Sequence, residues 1–490
     1  MIKKLMSLVC CLVPMGVKAA PALIEPVGGD AAVATTYEAW QGAITNGQSV
    51  VVTGGNGINA IGGQTVAPGF SIVNTMSVGE LNNPGTADVE PTAGKLSNLY
   101  VLDSVASDFT VVSKGDVSIG SLLQVLNGMT LGFKSPDNTR FNLSVGSGNV
   151  NEGVRVGADG NLAEIDLANI DVLTVNGSVI AYGDFSVDAN SVVVGGINAN
   201  AGVMDIVAAD SVKLNQLIAG AGVGAVNVQA GTTITSTGTI QNSADGMTLV
   251  AADGISVDGN LENTTVSGGA EFSASGGDLV VMGTLKNDSG VDGNAKMTLN
   301  VANLTVNGGG SGSYSFVNTG DFSATVAGKT YLEYGLNLSG MDKDNEFSLK
   351  TGALEFGAGA DSDTWFSAFS NNLNKFSVNI TNDDLTLATV LNGAGVGDAF
   401  NIAATMSVQA QNITADSVQN SAATLSMMAA QDMTILGAVI GNSGQTKLVA
   451  TDALVLNGAV SNSAGMTLNG KTVELASVSN SGAGANLTIS

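Results

Sequence analysis

Few side chains in this 490-residue sequence can do chemistry, and their types narrow what that chemistry is. There is no histidine. This excludes Ser-His-Asp and Cys-His nucleophiles, histidine-ligated zinc and imidazole proton transfer. The two cysteines are Cys10 and Cys11, inside a segment that reads as cleaved, so the mature chain is expected to lack thiolates and disulfides. Carboxylates remain. Asp342-Lys343-Asp344-Asn345-Glu346 is the densest acidic spot, and Asp342, Asp344 and Glu346 could collect a calcium ion through oxygen ligands. That string lacks the turn glycine and terminal glutamate of an EF-hand loop, and the Gly-Gly-x-Gly-x-Asp repeat of calcium-binding β-rolls is missing. Asp361-Ser362-Asp363 and Asp383-Asp384 are smaller clusters of the same kind. A solvated acidic turn is the plainer account of each, and no cofactor is expected. Gly220-Ala221-Gly222-Val223-Gly224 has the look of a nucleotide loop, but no strand–helix unit surrounds it.

Aromatic residues are the second group. Half of the 22 lie between Tyr314 and Phe376. Thr364 to Asn374 is expected to be a helix capped by Ser362 or Asp363, with Trp365, Phe366 and Phe369 on one side. With Tyr331 and Tyr334 these are the ligand-binding candidates, because aromatic rings stack on sugars. They also fill cores, and the core is the weightier account.

The elements that must position these residues follow from a repeated rung of about 20 residues. Val418-Gln419-Asn420-Ser421, Ile440-Gly441-Asn442-Ser443, Val460-Ser461-Asn462-Ser463 and Val478-Ser479-Asn480-Ser481 mark successive corners. Short alternating runs such as Ala453-Leu454-Val455-Leu456 lie between them. Such a period, built from short strands, predicts a solenoid in which each repeat buries its apolar face by stacking on its neighbours. Asparagine suits the corners because it tolerates left-handed backbone and can bond to the backbone or to the asparagine one rung away. Asn-Leu/Ile-Thr/Ser triplets begin at Asn142, Asn303, Asn337, Asn379, Asn412 and Asn486. They match the glycosylation pattern, but a strand starting after a corner asparagine gives the same string. The fold class expected is all-β: a right-handed parallel β-helix with a short helical cap and an irregular aromatic-rich insertion.

Along the chain, residues 1–19 read as a signal peptide: Lys3 and Lys4, an apolar stretch to Val13, and Ala19 at the exit. Residues 20–55 are expected to cap the solenoid, with Tyr37, Trp40 and Ile44 on one face of a helix leading into a strand over Ser49–Thr53. Irregular rungs are expected over 56–190, with a loop from Asn83 to Lys95. Regular rungs follow over 191–313, then the insertion or irregular rungs over 314–405. Regular rungs resume over 406–490, ending inside a rung as a truncated chain would. No stretch of the mature sequence is long and apolar enough for a membrane-spanning helix. Removing Lys3, Lys4 and Lys18 from the 17 basic residues leaves 14 against 42 acidic ones, a net charge near −28. Nucleic acid and anionic lipid would be repelled.

The signal peptide, the helix-then-strand start and the Asn-Ser rungs together resemble the passenger regions of bacterial surface adhesins of the autotransporter and filamentous-haemagglutinin kind. The likeness covers about two thirds of the chain and is one of style. The Asn-Pro-Asn signature of two-partner secretion is missing, and Asn82-Asn83-Pro84-Gly85 only echoes it. The translocator barrel of such proteins is not among these 490 residues, as expected of a truncated chain. The resemblance implies a secreted or bacterial cell-surface protein, structural or adhesive and not an enzyme. Its implied partners are glycans, host proteins or neighbouring copies, with an outer-membrane translocator for export. The alternatives are a β-helix polysaccharide lyase or hydrolase and a surface-lattice protein. Arg140 and Arg155 are the only arginines, which weighs against the enzyme.

Overall fold

The computed structural model describes residues 116–490 except 126–129, 135–138, 150–151, 161, 266–267, 291–292, 309–313, 338–343, 358–368, 372–374 and 393–403; before residue 116 it describes the backbone of five strands only. The expected signal peptide, the Tyr37–Ile44 helix, Trp365, Phe366 and Asp342 lie outside the described residues. No described residue is helical. The helix expected over 364–374 gives way at Phe369–Asn371 to a strand, which pairs in register with Val390–Asn392.

The chain winds as a parallel β-solenoid. One turn runs along a first face (Gly246–Ala251), bends at Gly254 into a second (Gly254–Val257), and crosses a third (Leu261–Thr264) before the next turn starts at Gly268. About 14 such turns stack from Glu164 to Asn480. At ~4.8 Å per turn that stack is about 65 Å long. Backbone pairing extends it toward the N-terminus through Gly94–Val101 and Val50–Val52. The pairing of Ile24–Glu25 with Val50–Val52 is antiparallel; the other pairings between described strands are parallel.

Alternation causes this arrangement. In Asp321–Leu332 every second residue from Phe322 to Val326 is buried while Ser323 and Thr325 face water. In a strand, successive side chains point to opposite faces, so each turn offers one apolar edge inward and one polar edge outward. Stacking turns join the inward edges into a single core. One inward column reads Val226, Met247, Phe272, Met297, Phe322, Phe347, Phe376, Met406, Leu425, Thr446, Met466 and Leu487. The repeat is therefore not uniform. It is 25 residues from Met247 to Phe347 and 29 and 30 in the next two turns, returning near 20 only after Met406. Strand pairing fixes the register, so extra residues are accommodated in the bends.

Four phenylalanines of the aromatic-rich stretch, Phe316, Phe322, Phe347 and Phe376, belong to this core. Phe322 stacks on Phe347 at 5.1 Å, Phe347 on Phe376 at 5.4 Å, and Phe316 leans on Phe322 at 4.7 Å. Such pairs add about 0.5–1.5 kcal/mol beyond the area they bury.

Where the third face bends back to the first, asparagines form a buried ladder. Asn242 Nδ2 donates to Asn263 Oδ1 at 2.8 Å, Asn263 to Asn287 at 2.8 Å, and Asn287 to Asn318 at 2.7 Å. The ladder resumes from Asn392 to Asn420 and from Asn462 to Asn480, each at 2.8 Å. Each amide also serves the backbone: Asn420 Oδ1 accepts the Ala422 N–H while its Nδ2 reaches the Gln445 carbonyl. The described ladder asparagines do not use the left-handed backbone expected of them. Among described non-glycine residues only Asn169 has positive φ, so ladder asparagines are there for their amides. Asn442 is also off the ladder: pairing sets Gly441, not Asn442, opposite Asn420 and Asn462.

A second, exposed set of corner bonds explains two glycosylation-like triplets. Asn412 Nδ2 donates to Asp384, and its Oδ1 accepts the Asp432 N–H at 3.0 Å. Asn303 likewise bonds Asp278 and accepts from the Lys329 N–H at 2.8 Å.

Candidate functional site

The first face carries the most regular outward surface. Its central column is Thr248, Ser273, Thr298, Ser323, Ser348, Ser377, Ser407 and Ser426, eight hydroxyls in unbroken strand register. Adjacent members are one strand spacing apart, ~4.8 Å. Ser273 Oγ donates to Thr248 at 3.1 Å. The other six side chains make no hydrogen bond to a described residue, so their hydroxyls are left to solvent or a ligand. Thr298 and Ser323 are exposed and the rest half-buried.

Each hydroxyl sits between two inward anchors. The local sequence is an apolar residue, Ser or Thr, then an apolar residue: Met297-Thr298-Leu299, Phe322-Ser323-Ala324, Phe347-Ser348-Leu349. The buried neighbours anchor the strand and aim the middle side chain outward. Among the described residues neither the second nor the third face has a hydroxyl column of this length. The second runs Lys213, Thr235, Ser256, Val280, Thr305, Tyr331 and Glu355, and later Thr386, Thr414, Thr434, Val455 and Glu474; the third runs Ile218, Gln241, Glu262, Lys286 and Val317.

Two columns flank the track. On the side where the face begins stand Gly246, Glu271, Lys296, Asp321, Glu346 and Lys375. Lys296 lies 3.5 Å from Glu271, and Lys375 lies 3.9 Å from Glu346. Exposed pairs of this kind contribute about 0–1 kcal/mol each. On the other side stand Ser275, Asn300, Thr325, Lys350, Asn379 and Gln409, mostly uncharged donors and acceptors. Where Gly246 supplies no side chain, a shallow recess of about 110 Å³ opens, lined by Thr248, Ser273, Thr298, Glu271 and Lys296 among others.

The residues singled out in the sequence fall elsewhere. Tyr331 projects from the second face, half-buried, with its hydroxyl on the Glu333 carboxylate and Lys329 Nζ 5.6 Å from its ring centre. The bond to Glu333 pushes its phenol pKa up. Lys329 reaches on to Glu355 at 2.9 Å. Tyr334 is in the bend that follows, its N–H donating to Ser315 Oγ at 2.7 Å. Phe369 begins the short third-face strand. Phe316, Phe322, Phe347 and Phe376 are interior, so no continuous aromatic platform forms from the described part of the segment. The acidic spot is not drawn together either. Asp344 is in an exposed turn and Glu346 begins a first-face strand. Among the described residues no three acidic side chains converge on one point.

The chain matches no protein-family model, no curated protein and no solved structure.

Proposed function

We propose that the chain is a secreted or bacterial cell-surface protein with a structural or adhesive role, its right-handed parallel β-helix built in the manner of an autotransporter or haemagglutinin passenger. The observation that carries the reading is the eight-rung hydroxyl track on one face of a long stack. Such a surface offers many equivalent shallow contacts along its length. The recess at Gly246, about 110 Å³, is well below the ~300–1,000 Å³ of small-molecule pockets, which favours surface contact over enclosure of a substrate. In this reading the chain is not an enzyme. Residues 1–19 direct its export, an outer-membrane translocator passes it, and glycans, host proteins or neighbouring copies are its partners.

The test is to express the whole chain in a Gram-negative host and digest intact cells with protease. The reading expects a surface-accessible or released chain beginning at Ala20. A chain that stays inside the cell with Met1 in place would overturn it.

A further inference from the structure

We infer that the first face binds a neutral, extended polysaccharide laid along the solenoid axis, with the column from Thr248 to Ser426 as its track. This rests on the adhesive reading above and specifies the ligand for that face.

The charge of the chain selects the class. The chain's net charge of −25 opposes a polyanion, and the columns beside the track add no net charge to draw one in, since Glu271, Asp321 and Glu346 are matched by Lys296, Lys350 and Lys375. The track itself is uncharged over eight turns. A hydroxyl both donates and accepts, as does every free hydroxyl of a sugar, so one polymer can be read rung after rung. Ser275, Asn300, Thr325, Asn379 and Gln409 widen the same surface with further neutral partners. Seven intervals of ~4.8 Å make the track about 34 Å long. The direction follows from this: a polymer across the axis would meet one or two track hydroxyls, and one along it meets all eight. Each contact is weak, so affinity accumulates with the number engaged. The Gly246 recess lies along the first three rungs of the track, with Glu271 and Lys296 on its wall within reach of a sugar.

The experiment measures binding of the whole chain to a soluble neutral β-glucan, a galactomannan, dextran and polygalacturonate. It is repeated with a size series of whichever neutral polymer binds, in low and high salt. Binding to at least one neutral polymer is expected, little changed by salt, rising with length and levelling off near the span of the track. Polygalacturonate should not bind. The double variant Ser323→Glu and Ser377→Glu places carboxylates on outward positions and should weaken binding about tenfold or more. Thr305→Glu with Thr434→Glu, on the second face, should leave it within about twofold, with both variants retaining the β circular dichroism of the parent. Binding only to the polyanion, equal losses in the two variants, or no dependence on length would each overturn the inference. If the chain attaches to cells but binds none of the neutral polymers, the inference falls and the adhesive reading stands; if it does neither, both fall.

Discussion

Thr446 does the work of an asparagine that Gly441 does not supply. Gly441 occupies the ladder position between Asn420 and Asn462, and with no side chain there Asn420 Nδ2 turns to Thr446 Oγ1 at 3.2 Å. Thr446 is 1% exposed, a hydroxyl in a column otherwise filled by Met, Phe, Leu and Val. The missing amide and the misplaced hydroxyl are one feature.

Their coupling can be measured. Thr446→Val should cost about 0.5–1.5 kcal/mol, because Asn420 keeps its bonds to the Ser443 and Gln445 carbonyls. Gly441→Asn alone meets Met466 Cε at 3.0 Å, Asn462 Oδ1 at 3.2 Å and Thr446 Oγ1 at 3.3 Å from its Cβ, an overpacking cost of about 1–3 kcal/mol. With Thr446→Ala added, the new amide can join Asn420 to Asn462, and the pair should be more stable than the sum of the single changes by about 0.5–3 kcal/mol. Thermal unfolding of the four proteins reads this. Strict additivity would mean that the two positions are independent.

Buried and exposed asparagines should behave differently. Asn263→Ala takes the donor from buried Asn287 Oδ1, and from Asn242 Nδ2 one of its two acceptors, the Glu271 carbonyl being kept. The loss should be about 1–3 kcal/mol for each group left without a partner. Asn303→Ala, at a corner open to water, should stay within about 0.5 kcal/mol. Equal losses at the two sites would deny the ladder its role.

The aromatic residues divide by the direction they face. Phe347→Ala opens a void between Phe322 and Phe376 and should cost about 3–5 kcal/mol. Tyr331→Ala removes a partly exposed ring and should change stability by about 1 kcal/mol or less. Denaturant titration of both variants decides it, and a Tyr331 loss as large as that at Phe347 would place Tyr331 in the core.

One bend is held by a carboxylate. Glu152 accepts from the Asn149 side-chain amide at 2.8 Å and from the backbone and hydroxyl of Ser147, and these bonds lower its pKa from 4.5 to about 2. A folded-state value below the unfolded one means the stabilisation is complete above about pH 4.5 and disappears as pH falls toward 2. Carboxyl-carbon NMR should find a midpoint near 2, moving to near 4.5 if Ser147 and Asn149 are replaced by alanine. A native midpoint near 4.5 would show that the bonds do not form. At the end of the same bend Gly153 has φ of 121°, and a Cβ there would lie 2.2 Å from the Ser178 carbonyl oxygen, so Gly153→Ala should lower the melting temperature.

The solenoid was legible because alternation and corner asparagines are local signals. Met247-Thr248-Leu249 and Met466-Thr467-Leu468 already display the outward hydroxyl between two anchors. The track as a whole was hidden, since its members are 19 to 30 residues apart and only strand register aligns them. Density along the sequence misled in both chosen clusters. Glu346 takes its ionic partner from Lys375, in the next turn, while the crowded aromatics include Phe322, Phe347 and Phe376, spaced so that they stack inward. Asn442 shows the same limit at single-residue scale. Its Asn-Ser context copies the other corners, but strand pairing puts Gly441, one residue earlier, on the ladder.

The most direct test of the adhesive rod is attachment. Inert beads coated with the whole chain would be mixed with bacterial and animal cells, before and after periodate oxidation of the cell-surface glycans. The rod predicts attachment well above that of uncoated beads, lost on oxidation. Attachment no greater than that of uncoated beads would contradict it.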